Sequence, residues 1–360
     1  MSKWEKARLG DVCKINMGQS PDSSTYNQAM DGIPFYQGNA DFGQRYPNAR
    51  YYCKQPTKLA NKNDVLISVR APIGAVNIAT EKCCIGRGLA AIAEVDGITN
   101  FMYIYFFLKA RVDELNLKGT GSTFKAINKN ILHDLIIPLP PLEVQKKIAQ
   151  TLDTASELIA LRKKQLAELD NLIKSVFYDM FGDPVTNEKG RWDVKKLGSI
   201  STLKSGKFVS SSEIHELSSK HSYPCFGGNG IRGYVEKYSH EGEYCLIGRQ
   251  GALCGNVQLA QGKFYATEHA VVVSPVITIN TKYLLYILKK LNLNNLASGA
   301  AQPGLTVGKL NDVEIPIPPL QFQNRFDSII QKIEEQKALV QKAIDESQYL
   351  FDSLMNEYFE

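Results

Sequence analysis

The chain has 360 residues, more than one ordinary hydrophobic core holds, so we expect at least two domains. It is 44% hydrophobic and 22% charged with a net charge of +5. No apolar run approaches the roughly eighteen residues of a membrane span, which argues against a membrane protein. The start lacks an apolar signal core, so we expect a cytoplasmic protein. Seven cysteines without a CxxC spacing favour reduced thiols over disulfides or a zinc site.

Short strands and one helix are predicted in each half of the chain, separated by glycine- and asparagine-rich turns. The predicted strands span residues 64–69, 74–79, 243–248, 256–260 and 270–276. The predicted helices span residues 101–115 and 281–291. Because strands and loops dominate, each half is predicted to form a compact α+β domain.

A long helix is predicted after each domain, because apolar residues recur there in alternating steps of four and three, as in a coiled coil. The stripes include Ile148, Leu152, Ile159, Leu166, Ile173, Ile330, Ile333, Val340, Ile344 and Phe351. Arg162 interrupts the first stripe, and Lys337 and Ser347 interrupt the second. We expect the helices to pair antiparallel with pseudo-two-fold symmetry, over roughly 58 Å. Packing of each helix on its own domain is the alternative.

The chain repeats itself once, with its landmarks in the same order. PLPPLEVQ at 138–145 and PIPPLQFQ at 316–323 share five of eight residues at an offset of 178. The openings WEKARLGDV and WDVKKLGSI also match. The predicted organisation is therefore two domains, each with its helix, at 1–142, 143–181, 182–320 and 321–360.

Two further segments of the repeat contain polar residues that we align with one another. VLISVRAPIGAV is similar to YCLIGRQGALCG, which pairs Arg70 with Arg249. FYQGN is similar to CFGGN, which pairs Asn39 with Asn229.

Positive charge is concentrated on the predicted domains. The first long helix has a net charge of zero and the second of −4, which leaves +9 on the rest of the chain. Basic and aromatic residues alternate there: Arg45, Tyr46, Arg50, Tyr51, Tyr52, Lys54, Lys58 and Lys62, then Lys204, Lys207, Arg232, Tyr234, Lys237 and Tyr238. Such a surface suits nucleic-acid phosphates, and an ordinary solvated basic face is the alternative.

We find no pattern of catalytic or metal-binding residues in the sequence. It lacks a phosphate-binding lysine loop, GxGxxG after a strand, HExxH and GxSxG. His269 is interpreted as structural, and Cys84 near Arg87 as a buried thiol rather than an activated one. We therefore expect a non-catalytic chain without a metal.

The order and duplication of these motifs resemble the specificity subunits of type I restriction-modification systems, the HsdS family. The resemblance covers essentially the whole chain. It rests on the two openings and on SYPCFGGNGIRGYV, LIGRQGALCGNV, IIPLPPLEVQKKIAQTLD, EIPIPPLQFQNRFDSII and FYDMFGDPVTNEKGRW.

The resemblance implies that each domain is a target recognition domain that reads one half of an asymmetric bipartite DNA site. The helical pair would set the gap between the halves. Two modification (methyltransferase) subunits and two restriction (motor-nuclease) subunits would be the partners on double-stranded DNA. S-adenosylmethionine, ATP and Mg²⁺ are expected on those partners, and no cofactor on this chain.

Loop residues at corresponding positions are the candidate DNA contacts. Arg70 and Arg249 each follow a strand, and arginine reads guanine bidentately; a buried ion pair is the alternative. Asn39 and Asn229 follow glycine, and either pair with adenine or hold a left-handed turn. The remaining candidates are Lys125 and Lys207 for phosphate, with Arg232, Tyr234 and Gln250.

Three other interpretations remain open at the level of sequence. The chain could be a binding scaffold without modification partners, a nuclease that uses scattered acidic residues, or a specificity module that acts with a fused methyltransferase-nuclease.

Overall fold

The computed structural model describes residues 4–120, 125–184, 186, 191–219, 222–251, 253–298 and 303–360. The chain divides into two compact units: unit 1 comprises residues 1–164 and 341–360, and unit 2 comprises residues 165–340. Each unit therefore contains one repeat of the domain together with parts of both long helices. The domain boundaries proposed from the sequence remain predictions.

Unit 1 consists of short strands, four short helices and segments of two long ones. Its strands are β1 (Lys6–Arg8), β2 (Cys13–Met17), β3 (Tyr26–Asn27), β4 (Ile33–Tyr36), β5 (Tyr51–Cys53), β6 (Leu59–Ala60), β7 (Val65–Ser68), β8 (Val76–Ile78), β9 (Cys83–Ile85), β10 (Leu89–Glu94) and β11 (Ile136–Pro138). Its helices are α1 (Leu9–Val12), α2 (Phe101–Ala110), α3 (Val112–Lys118), α4 (Lys129–His133) and the first part of α5 (Leu142–Phe181), with 3-10 turns at Ser23–Thr25 and Asn39–Asp41.

Unit 2 repeats this plan with fewer and longer strands. Its strands are β12 (Asp193–Lys196), β13 (Ser201–Ser205), β14 (Tyr223–Gly227), β15 (Gly230–Val235), β16 (His240–Gly248), β17 (Val257–Ala266), β18 (Ala270–Pro275) and β19 (Glu314–Ile317). Its helices are α6 (Leu197–Ile200), α7 (Thr281–Lys290), α8 (Val307–Asn311), the end of α5 and the first half of α9 (Leu320–Phe359), with 3-10 turns at Ser211–Glu213 and Leu293–Leu296.

The sheets of the two units share a strand order, except that β3 and β6 of unit 1 have no counterpart among the described strands of unit 2. Unit 1 has sheets in the orders β1-β11, β2-β10-β7-β8 and β3-β5-β4-β9-β6, and unit 2 has β12-β19 and β13-β18-β16-β17-β14-β15. Neighbouring strands are antiparallel except β4 with β9 and β14 with β17, which are parallel. Strand β17, which has ten residues, occupies the positions of both β8 and β9, because it pairs with β16 and with β14. One continuous strand thus joins two sheets that are separate in unit 1.

The predicted strands and helices of the domains are confirmed, although some of them differ in extent. The fully buried run of β7 and the apolar runs of β16 and β18 correspond to the apolar segments of the sequence. The helix predicted over residues 101–115 is two helices, α2 and α3, which meet at Arg111. Asn100 and Asn280 cap α2 and α7 by accepting a hydrogen bond from the backbone N–H three residues later.

In unit 1 the beginning of α5 packs antiparallel against the end of α9. Ile148 and Leu152 share one buried core with Phe359, whose ring lies 5.1 Å from that of Tyr103. Further along, Arg162 donates hydrogen bonds to the backbone of α9 and to the hydroxyl of Ser347. Arg162 and Ser347, which interrupt the two predicted stripes, are therefore partners of one another.

In unit 2 the end of α5 packs antiparallel against the beginning of α9. The ring of Phe177 is fully buried between Phe326 at 5.6 Å and Tyr283 at 6.3 Å. Lys337, the other interruption, forms an ion pair with Asp170 at 2.8 Å. The antiparallel packing of the helices is confirmed within each unit. The alternative, in which each helix packs on its own domain, also holds in part, because the first turns of each helix pack against the domain that precedes it.

A buried glutamine attaches each long helix to its domain. Nε2 of Gln145 donates to the carbonyls of Ile98 and Pro140, each at 2.9 Å, while Oε1 accepts from the backbone of Asn100 at 3.0 Å. Gln323, its counterpart in the repeat, binds Pro318 and Asn280 in the same way. Both side chains are almost completely buried, which explains why the glutamine recurs in the two proline motifs.

All seven cysteines lie in the described residues, where they are buried and free. No helix in the described ranges combines the length and apolar content needed to cross a bilayer.

Candidate nucleic-acid interface

In each unit, backbone hydrogen bonds join several of the loops that follow strands, and we call the set in each unit a loop frame. The loop frame of unit 1 contains residues 18–20, 37–39, 69–71, 86–88 and 125. The loop frame of unit 2 contains residues 206–208, 227–229, 249–251, 267–269 and 303.

The same five backbone hydrogen bonds hold the loops together in both units. In unit 1 they run from N to O as Gly18–Leu89, Gln19–Ile85, Val69–Gly88, Gly86–Tyr36 and Ala71–Lys125, at 2.8–3.2 Å. In unit 2 they are Gly206–Ala270, Lys207–Ala266, Arg249–His269, Thr267–Phe226 and Gly251–Pro303, at 2.9–3.0 Å. This correspondence identifies equivalent residues by backbone geometry rather than by residue identity.

Close approach of the loops requires glycine at particular positions. A Cβ on Gly248 would lie 2.0 Å from the carbonyl oxygen of Gly228, and one on Gly88 would lie 2.3 Å from that of Gln37. Because these obstacles are backbone atoms, a larger residue would push the loops apart.

The structure corrects the alignment of Arg70 with Arg249. Arg70 and Gln250 occupy equivalent positions, since their backbones bridge to Ala126 and Gly304 respectively. Arg249 corresponds instead to Val69. The sequence alignment matched the two arginines with each other, and it is therefore shifted by one residue at this position. Unit 2 does contain one residue more than unit 1, but this residue lies in the loop that follows.

A shift of one residue reverses the direction of an extended side chain, so the two arginines have different surroundings. Arg70 is exposed, and the structure records no hydrogen bond or ion pair of its side chain with any described residue. Arg249 is half-buried; its Nη1 donates to the hydroxyl of Ser205 at 3.0 Å. Its Nε is buried without a partner among the described residues. The buried ion pair considered from the sequence is found for neither arginine within those residues.

Asn39 and Asn229 are equivalent, as predicted, because Tyr36 and Phe226 have the same pairing. Neither asparagine has a positive φ, so the left-handed turn is wrong for both. Oδ1 of Asn229 accepts a hydrogen bond from Asn256 at 2.7 Å.

The loop that carries Asn39 is held by a buried carboxylate. Asp41 accepts hydrogen bonds from the backbone of Gln37 at 2.6 Å and of Gly38 at 3.3 Å, and it pairs with Arg50.

The other predicted contacts divide into two groups. Lys125 and Lys207 lie in the loop frames and are exposed. Arg232 and Tyr234 lie on β15, outside the loop frame, where the exposed Arg232 covers Gly227 and the backbone of Tyr234 pairs with His215. Whether any of these residues contacts DNA remains a prediction.

Sequence reasoning missed other exposed or half-exposed residues of the loop frames. Gln19 is equivalent to Lys207, and Arg87 to Glu268. His269, interpreted from the sequence as structural, corresponds to Gly88; its Nδ1 lies 2.8 Å from Oε1 of Gln250. Placing the one-residue insertion after the turn would have revealed the pairs of Arg87 with Glu268 and of Gly88 with His269.

Part of the basic surface is neutralised by acidic neighbours. Arg50 pairs with the buried Asp41, and Lys237 pairs with Glu213 at 2.8 Å. Basic residues paired in this way fit the alternative of an ordinary surface, whereas the unpaired Arg70 keeps its donors free.

The thiol that we considered as a possible nucleophile does not have the properties of one. Cys84 is fully buried, and burial raises its pKa, opposite to the change that activates a cysteine. In the described ranges, no group of three or more His, Cys, Asp or Glu side chains is placed to hold a metal ion.

Comparison with known proteins agrees with this duplicated architecture. The family described as "Type I restriction modification DNA specificity domain" matches residues 1–171 and again residues 189–347. The chain belongs to this family. Its function is accordingly DNA sequence recognition, and its relatives are named specificity subunits, a non-catalytic role.

Two relatives of this specificity subunit show the extent of the similarity. It is 37% identical over 301 residues to the type I restriction enzyme EcoprrI specificity subunit of Escherichia coli, across 77% of this chain and 72% of that protein. It is 45% identical over 178 residues to the putative MjaX specificity subunit of Methanocaldococcus jannaschii, across 48% of this chain and 41% of that protein.

Solved structures share the fold of this specificity subunit. The crystal structure of the type I restriction-modification S subunit from M. genitalium superposes with a TM-score of 0.69 at 18% identity, over 100% of this chain and 96% of that one. A chain from a structure on complex assembly and conformational transition of the type I system gives 0.64 at 18% identity, over 99% and 97%. The tandem α+β fold with its two long helices is thereby confirmed.

Proposed function

We propose that the two units read the two halves of an asymmetric, bipartite DNA site. The observation that carries the proposal is the loop frame, which recurs with the same five backbone hydrogen bonds but different side chains. A common backbone suits two domains that approach DNA in the same way. Different side chains at equivalent positions suit two different base sequences.

Phosphate contacts would hold each loop frame against the duplex. Lys125 and Lys207 are exposed at its edge and suit this role. Each phosphate contact contributes about −0.9 to the slope of log affinity against log salt, so Lys207→Ala should reduce the slope by about one and weaken binding to all sequences alike.

The helical pair would set the gap between the half-sites. Both α5 and α9 have 40 residues, which at about 1.5 Å per residue is roughly 60 Å or 18 base pairs of about 3.4 Å. This length supports half-sites separated by a fixed number of base pairs.

The helices would also dock the partners that carry out the chemistry. Large apolar side chains are exposed on them, including Leu161 at 64% and Tyr349 at 78% in unit 1, and Leu339 at 61% in unit 2. Exposed apolar side chains of this kind support contact with other subunits. We propose two methyltransferase and two motor-nuclease subunits, which would bind S-adenosylmethionine, ATP and Mg²⁺, in a complex that acts in the cytoplasm.

Selection of bound duplexes from a randomised DNA library tests the proposal. We expect two conserved blocks separated by a fixed gap, and Arg249→Ala should weaken only the block read by unit 2. An insertion of four residues after Ala155 should change the tolerated gap. One continuous block, or an unchanged gap, would contradict the proposal.

Two simpler assays separate the alternatives. Co-purification with a methyltransferase subunit distinguishes a specificity subunit from an isolated scaffold. A metal-dependent cleavage assay on the isolated chain should give no product, whereas a nuclease would cut.

A further inference from the structure

Gln250 and Arg70 occupy the same position in their loop frames. Both are exposed, both follow a strand by two residues, and both bridge through their backbones to the same loop. On the proposed function, each would face the corresponding base pair of its own half-site. What differs is the chemistry of the two side chains.

Arginine and glutamine recognise different purines. A guanidinium has only donors, and it binds O6 and N7 of guanine bidentately. A glutamine amide has one acceptor and one donor group, and it binds adenine by accepting from N6 and donating to N7.

A glutamine reads adenine reliably only when its amide is held in one orientation. Rotation of the amide by half a turn exchanges its oxygen and nitrogen, so it would then present donors where adenine also presents one. An arginine has no such ambiguity, because every orientation of its head group presents N–H donors.

The structure contains a side chain that holds the amide of Gln250. Nδ1 of His269 lies 2.8 Å from Oε1 of Gln250, and since oxygen can only accept, Nδ1 carries the proton. Oε1 retains a second lone pair for N6 of adenine, and Nε2 stays free to donate to N7. On the other side of the ring, Oε1 of Glu268 lies 3.2 Å from Nε2 of His269.

At the equivalent, described positions of unit 1 this arrangement is absent. The residue equivalent to His269 is Gly88, and the residue equivalent to Glu268 is Arg87. The histidine thus lies beside Gln250, whose amide needs to be oriented. Glycine takes its place in the loop frame of Arg70, whose guanidinium does not.

We propose that Arg70 and Gln250 are equivalent specificity-determining residues, which read guanine in the half-site of unit 1 and adenine in the half-site of unit 2, and that His269 is a positioning residue for Gln250. This inference rests on the proposed function. It adds which side chains discriminate, and between which bases.

The test uses the full chain and a randomised duplex library, with sequencing of the bound DNA. Arg70→Gln should weaken the preference for guanine at one base of one half-site, and Gln250→Arg should replace adenine by guanine at one base of the other. A bidentate contact corresponds to a preference of about 5- to 150-fold. In each variant the unaltered half-site is the control for folding.

His269 is tested by its dependence on Gln250. His269→Ala alone should reduce the preference for adenine at that base and leave all other bases unchanged. Added to Gln250→Arg, the same substitution should have no further effect, because a guanidinium needs no orientation. A purely structural histidine would instead weaken the whole half-site in both backgrounds.

The outcomes separate this inference from the function on which it rests. If the wild-type chain selects no two-part site, the proposed function is wrong. If it selects one and the base preference is unchanged in Arg70→Gln or in Gln250→Arg, only the assignment of these residues is wrong.

Discussion

Substitution of Gln145 by alanine should destabilise unit 1 and leave unit 2 unaffected. The glutamine makes three hydrogen bonds with the backbone, and each contributes about 1 kcal/mol net, so we expect a loss of about 3 kcal/mol in the free energy of unfolding. Gln323 makes two such bonds, so Gln323→Ala should cost about 2 kcal/mol in unit 2.

The chain offers one tryptophan for each unit. Trp4 belongs to unit 1, and Trp192, whose Nε1 donates to the carbonyl of Phe181 at 3.0 Å, belongs to unit 2. Urea unfolding followed by fluorescence in a Trp192→Phe background therefore reports on unit 1, and a Trp4→Phe background reports on unit 2. Separate probes are needed because a protein of two units does not unfold in a single two-state step.

The matched control is Gln150→Ala, at an exposed position farther along the same helix. It should change the free energy of unfolding by less than about 0.5 kcal/mol. An unchanged Trp4 transition in Gln145→Ala, or an equal change at both tryptophans, would refute the interpretation that this glutamine attaches α5 to its own domain.

Three further predictions concern packing and ionisation. Phe177→Ala should lower the stability of unit 2 by about 3–5 kcal/mol in the Trp192 assay, because it empties an aromatic core site; a loss below about 1 kcal/mol would contradict that packing. All seven cysteines should resist alkylation by iodoacetamide in the native protein, as counted by mass spectrometry, and react once urea unfolds it. Partial burial lowers the pKa of Lys337, but ion pairing with Asp170 and Glu334 prevails, and the net effect is a raised pKa. The contribution of Lys337 to the free energy of unfolding is therefore complete at neutral pH and is lost as pH rises past 10.5. Lys337→Met should therefore reduce the pH dependence of unfolding above that value; an unchanged dependence would show that the pair contributes nothing.

Local pattern sufficed to predict the two long helices, the main helix of each domain and several of the strands. The heptad stripes identified both long helices, because burial along a helix follows its period. The apolar runs at β7, β16 and β18 identified strands for the same reason. The continuous strand β17 was not predicted at its full length, since its exposed middle resembles a loop and only pairing on both sides makes it one strand.

The contents of the loop frames were harder to predict than the elements. The position of Arg70 was predicted, but its equivalent residue in unit 2, Gln250, was not. A one-residue insertion in a loop leaves no periodic signal from which the correct alignment could be read. The burial of Gln145 was also not predicted, because its partners lie in segments distant in sequence and meet only in the folded unit. Arg162 and Ser347 similarly interrupt separate stripes, and their complementarity appears only when the helices pair.

The division of α9 between the units has a consequence for synthesis on the ribosome. Proteins generally fold domain by domain as the chain emerges, the N-terminal part first. Here the core of unit 1 includes Met355 and Phe359, which follow all of unit 2 in the sequence. The unit that is translated first is therefore completed last, and until then α2 exposes the apolar surface that Phe359 covers. A nascent chain stalled before residue 341 should have a finished unit 2 beside an unfinished unit 1.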